Sequence, residues 1–206
     1  MEIYHTIYKG GDGEIVEKKS RFIAEVHPVT SEEEAMEILE QTRKQYWDAR
    51  HHCWAYIIGR NPAAERMSDD GEPAGTAGKP ILEVIRGREL TNVLVIVTRY
   101  FGGIKLGAGG LVRAYSKSVL EAIEASEIIE VEYYDVYNIT FDYSDLKDIE
   151  REIRNSKLTI IQKDFGEKIS YDLVSKNNRN IKEIFEKFHN KIKVNFKNKQ
   201  VLKKIK

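Results

Sequence analysis

From Glu14 to Val26 apolar and polar residues alternate, which predicts a strand with Ile15, Phe22, Ala24 and Val26 turned inward. The period then changes. Ser31-x-x-Glu34 reads as a capping box, and Ala35, Ile38, Leu39, Thr42 and Tyr46 recur behind it at helical spacing. His51–Ile58 is a strand rich in aromatics, whereas Thr91–Thr98 is apolar without alternation, the pattern of a central strand buried on both faces. A helix with Leu111, Tyr115, Val119, Ala122 and Ile123 inward ends near Ser126. Beyond it the periodicity predicts strand Tyr133–Tyr143, helix Ser144–Asn155, strands Leu158–Lys163 and Lys168–Ser175, helix Asn178–His189 and strand Lys191–Phe196. That βαββαβ order belongs to a ferredoxin-like split fold. The expected fold class is therefore α+β, in two domains of residues 1–131 and 132–206.

Glycine changes the picture. Nine of the fourteen glycines fall between residues 68 and 118, most of them in SDDGEPAGTAGKPILEV from Ser68 and TRYFGGIKLGAGGLVRAYSKSV from Thr98. Each block runs into a segment that can be helical, so a backbone-rich surface is expected there. In the second block Gly102–Gly110, including Gly107, Gly109 and Gly110, precedes a helix whose first two turns would carry Arg113 and Lys117 at i and i+4. Like charges there repel each other and oppose the helix dipole, so an anion bound at the glycine nest, or a neighbouring carboxylate, is expected. A tight packing turn is the structural alternative. Neither a phosphate loop of the Gly-x-x-x-x-Gly-Lys type nor a dinucleotide fingerprint is complete.

Asp69, Asp70 and Glu72 in the first block could hold a divalent cation, but the spacing of a calcium loop is absent. Docking of these acids on Arg99, Lys105 and Arg113 is the preferred reading, and neither metal nor cofactor is expected. Cys53 is the single cysteine. His51, His52 and Cys53 alternate in direction along a strand, so they cannot converge on a metal or form a catalytic pair. No catalytic constellation is recognised.

Charge is uneven although the net value is zero. Residues 1–131 carry 16 Lys+Arg against 21 Asp+Glu, and residues 132–206 carry 17 against 12. Lys187–Lys206 holds eight lysines and no acid, and Lys191, Lys193, Lys197 and Lys199 share strand parity, which makes them a candidate RNA contact. The longest aliphatic run, Val93–Val97, is far short of the roughly 20 residues of a membrane helix. A cytoplasmic protein without a membrane partner is expected.

The two glycine blocks, with Lys19-Ser20-Arg21-Phe22-Ile23-Ala24 and Asp48-Ala49-Arg50-His51-His52-Cys53-Trp54-Ala55-Tyr56, resemble the YigZ/IMPACT family over about residues 14–127. Arg50, His52 and Trp54 stand where the family more commonly has Thr, Asn and Tyr. The resemblance implies a first domain similar to the second domain of ribosomal protein S5 and a second similar to the last domain of elongation factor G. It also implies a non-catalytic role. Eukaryotic members look like regulators of translation initiation that bind the activator of an eIF2α kinase, and bacterial members suggest a nucleic-acid or ribosome association. The leading expectation is a translation-linked regulator whose glycine-rich charged surface binds a protein or a phosphate-bearing partner. The rival is an enzyme that holds nucleotide phosphate on the Gly102–Gly110 loop.

Overall fold

The computed structural model describes residues 3–59, 63–175, 180–188 and 190–205, with side chains as far as Lys197 apart from that of Tyr133. The chain divides into two compact units, Tyr4–Glu130 and Val131–Lys203. Strand β1 (Ile3–Lys9) pairs with β7 (Glu127–Phe141), a long strand that contains the boundary. The first unit is built on a sheet of β2 (Asp12–Glu17), β3 (Ser20–Pro28), β4 (His51–Ile58), β5 (Ala64–Ser68) and β6 (Val93–Tyr100). Their order is β2-β3-β6-β4-β5, and every pair is antiparallel.

The single strand expected over Glu14–Val26 is in fact the β2–β3 hairpin. Its turn residues, Lys18 and Lys19, have φ of 47° and 64°. Neither is the Asn or Gly that such a turn favours. Ile15 pairs with Phe22 directly across it, so both still face the same core.

Helix α1 (Glu32–Gln45) covers one face of this sheet; α2 (Gly78–Gly87) and α3 (Ala108–Glu124) cover the other. Ser31 caps α1 as expected, accepting from the Glu34 N–H at 3.2 Å. The return bond differs from a capping box, because Glu34 accepts from the backbone N–H of Thr30 at 2.7 Å. Val93–Val97 is completely buried between the two layers, which explains its lack of alternation.

The second unit contains β7, a 3-10 turn at Tyr143–Asp145, helix α4 (Leu146–Asn155), β8 (Thr159–Phe165), β9 (Ile169–Val174), α5 (Ile181–Ile184) and β10 (Ile192–Ile205). The sheet order β10-β7-β9-β8 is that of a ferredoxin-like split fold. Its core joins Ile139, Phe141, Ile149, Ile153, Tyr171 and Phe185. The helix expected over Asn178–His189 is shorter: α5 ends at Ile184 and a 3-10 turn, Glu186–Phe188, follows. Residues 178, 179 and 189 lie outside the described residues.

Candidate functional site

The four motif stretches meet at one end of the first unit's sheet. β6 delivers Arg99 into the interior, where its guanidinium donates to Glu72 at 2.6 Å and to the Ser20 hydroxyl at 3.3 Å. Tyr115, from α3, donates to the same Glu72 oxygen at 2.8 Å. Both charged side chains are almost fully buried, at 6% and 3% exposure. The guanidinium also lies between two rings, 5.3 Å from the centroid of Phe22 and 5.6 Å from that of Phe101. A buried ion pair holds two loops together only while both partners are present, because either one alone is an uncompensated charge.

The remaining acids of the first block also serve the backbone. Asp69 accepts from the N–H groups of Gly75 (2.7 Å), Ala77 (3.0 Å) and Gly78 (2.8 Å), and so caps the start of α2 from outside the helix. Burial alone would raise its carboxyl, but these three donors hold it below the usual range. Asp70 accepts from the His52 N–H at 2.7 Å and lies 3.3 Å from Arg43. Of the expected partners, the acids therefore reach Arg99 only. Lys105 and Arg113 have no carboxylate partner among the described residues.

Cys53 is inaccessible. Its thiol donates to the Asp69 carbonyl (3.0 Å) and lies 3.3 Å from the Tyr115 hydroxyl, and burial pushes it far up toward the protonated form. His52 turns to the opposite face of the sheet and meets Thr98 at 3.1 Å; burial lowers its pKa and keeps it neutral. Among the described residues no three His, Cys, Asp or Glu side chains stand where they could hold a metal ion.

Around this interlock lies an exposed rim. Gly102 donates to Ser20 at 3.2 Å, and a Cβ on it would sit 2.0 Å from the Lys19 carbonyl carbon, so only glycine lets the loop lie against the hairpin turn. Gly107 has a φ of 72° and precedes α3 without a side-chain cap. The helix begins at Ala108 rather than Leu111, which places Gly109 and Gly110 in its first turn, Arg113 in its second and Lys117 in its third. The dipole opposition expected from sequence is correspondingly weaker, although an Arg113 nitrogen lies only 3.7 Å from where a Gly109 Cβ would stand. Glu17, Lys18, Leu106, Arg113 and Lys117 help to line a cleft of about 240 Å³ beside this helix.

In the second unit Lys191 donates to Asp145 at 2.8 Å and Lys197 to Asp172 at 2.5 Å. These carboxylates are sunken, at 13% and 6% exposure. Lys193 is exposed, and the side chain of Lys199 lies outside the described residues. The shared lysine face expected from parity is thus partly neutralised from within its own unit. Ser20, Tyr115 and Arg43 complete the first unit's interlock, yet no spacing in the sequence marks them as polar partners.

A family model described as the Impact N-terminal domain matches residues 18–123, which include every residue of the interlock. The chain belongs to the IMPACT family. It is 44% identical over 172 residues to the IMPACT family member YvyE of Bacillus subtilis, covering 84% of this chain and 79% of that protein. The IMPACT family member YigZ of Escherichia coli is 38% identical over 150 residues, covering 72% and 74%. A crystal structure of a hypothetical protein superposes over 94% of this chain and 97% of its own, at 30% identity and a TM-score of 0.64. No described helix is long and apolar enough to cross a membrane.

Proposed function

We propose that this protein is a non-catalytic, translation-linked regulator of the cytoplasm that binds a protein or phosphate-bearing partner on the rim formed by Phe101–Gly110, the Lys18–Lys19 turn and the start of α3. The single observation behind this reading is the division of labour within the motifs. Glu72, Arg99, Tyr115 and Asp69 are engaged with one another or with backbone, whereas Phe101, Ile104, Lys105, Arg113 and Lys117 are exposed. Groups that would serve as nucleophile or base, Cys53 and His52, are buried and already hydrogen-bonded. A rigid base under an exposed rim suits binding better than turnover. The lysines of the second unit, Lys191, Lys193 and Lys197, are assigned an accessory contact with RNA.

The test is affinity capture on the tagged full chain, with and without nuclease, beside the variant Lys105→Glu/Arg113→Glu. Translation factors or ribosomal particles should be retained by the parent and lost from the variant. Equal recovery from both would move the binding surface elsewhere, and detection of turnover that survives Cys53→Ser would favour the nucleotide-binding enzyme instead.

A further inference from the structure

Five cations, Lys18, Lys19, Lys105, Arg113 and Lys117, gather on the hairpin turn, the glycine loop and α3 with no carboxylate partner among the described residues. Their unit is acidic overall, so the cluster is a local reversal of sign. Two arrangements are locally unfavourable. Lys18 and Lys19 occupy consecutive left-handed positions in the turn, and Arg113 and Lys117 repel across one turn of helix. The cleft beside α3 is lined by three of these cations against one acid, Glu17, with Ile15 and Leu106 as apolar wall. On the glycine loop that leads to this cleft Phe101 is 53% exposed, with the buried Arg99 guanidinium 5.6 Å from its ring centroid. That aromatic surface is open to a partner while resting on the buried cation.

We infer that this rim binds single-stranded RNA, its cations taking successive phosphodiesters and the exposed Phe101 ring stacking on an unpaired base. The inference rests on the binding role above and names the partner's chemistry. Cations spread over three separate elements match a chain of anions better than one free phosphate. An acidic peptide would also supply anions, but a stacking ring adds affinity only for a ligand with flat faces, and a base offers that ring its face only when it is not paired in a duplex.

The test is fluorescence anisotropy of the full chain with a labelled 12-nucleotide oligouridylate, titrated at several salt concentrations. Four phosphate contacts at about 0.7 each in the salt slope predict a loss of about 50-fold in affinity between roughly 50 and 200 mM salt. Lys18→Gln/Arg113→Gln/Lys117→Gln should reduce the slope by about two. Phe101→Ala should weaken binding at least about fivefold without changing the slope, the signature of lost stacking. Lys191→Gln/Lys193→Gln should leave most of the affinity in place. Thermal unfolding of each variant confirms that it is folded. The inference is overturned if polyglutamate competes as well as RNA at equal charge, if Phe101→Ala binds like the parent, or if the second-unit variant removes the binding. Loss of RNA binding alongside continued capture of a protein by the same rim would refute RNA and leave the binding role intact.

Discussion

Lys197 in the second unit touches an Asp172 carboxylate that is 6% exposed, whereas Arg113 and Lys117 in the first share a helix face with no acid near enough to pair among the described residues. By sequence the second unit is the basic one, and the lysine run after residue 187 is its most conspicuous feature. By structure a cluster of unpaired cations also lies in the acidic unit. Moving Lys197 onto a phosphate would leave Asp172 with Asn138 as its remaining partner, while moving Arg113 leaves nothing behind. Counting charges locates where a chain is basic; finding which of them are already answered locates where it can bind.

The contrast between answered and unanswered charge can be broken most severely at Arg99. Arg99→Leu strands Glu72 in the interior and should cost about 3–5 kcal/mol in urea denaturation, while Arg99→Met/Glu72→Leu should recover most of that loss. A single variant that loses less than about 1 kcal/mol would show that the ion pair does not hold the loops.

Glu25 tests the opposite case, a sunken carboxylate without an answering cation among the described residues. Burial first, then the charge of Asp12, raises it to about 7 from an ordinary 4.5, and one of its oxygens is buried without a hydrogen bond. The folded state therefore binds its proton more tightly than the unfolded chain does. Stability is full below pH 4.5, declines as pH rises to about 7 and stays reduced above it. Glu25→Gln should stabilise the protein by up to about 3 kcal/mol at pH 8 and by almost nothing at pH 4, read from denaturation midpoints. Equal midpoints at pH 8 would mean that Glu25 finds a partner in solution.

Removing an answering cation at the surface should do less. Lys197→Met is expected to lower stability by about 1 kcal/mol, because the pair is half open to water. Burial raises Asp172, but Lys197 and Asn138 outweigh that and hold it below 3.8, so this contribution is present above that pH and disappears as pH falls through the lowered value. The smallest effect has the other sign. Arg113→Gln or Lys117→Gln removes a repulsion and should raise stability in urea denaturation slightly, by about a few tenths of a kcal/mol. A clear loss there would reveal a structural duty for these cations.

Much of the framework was legible because it follows from burial and local hydrogen bonding. The start of α1 at Ser31, the doubly buried strand around Val95 and the βαββαβ order each have a local cause. The β2–β3 hairpin is hidden in the sequence because Lys18-Lys19 is not a turn signal, and only the change of parity between Ile15 and Phe22 marks it. β5 was missed because Ala64–Ser68 is an edge strand with little apolar pattern. Pairing between distant residues was the least legible part of the site. Nothing near Asp70 points to Arg43, and nothing near Lys197 points to Asp172. Charge alone brings Glu72 and Arg99 together, but nothing in the spacing shows their burial or the Tyr115 hydroxyl beside them.

The place of β6 in the sheet carries a consequence for the order of folding. It lies between β3 and β4 but is made after both, so neither can find its central neighbour until the chain has reached Tyr100. The α3 side chains that close the core, down to Ile123, emerge later still. Until then the apolar faces of the β2–β3 hairpin and of α1 have no central strand to pack on. Contacts that join such distant residues make for slow folding. The first unit should therefore condense in one late step, when the ribosome is already synthesising the second.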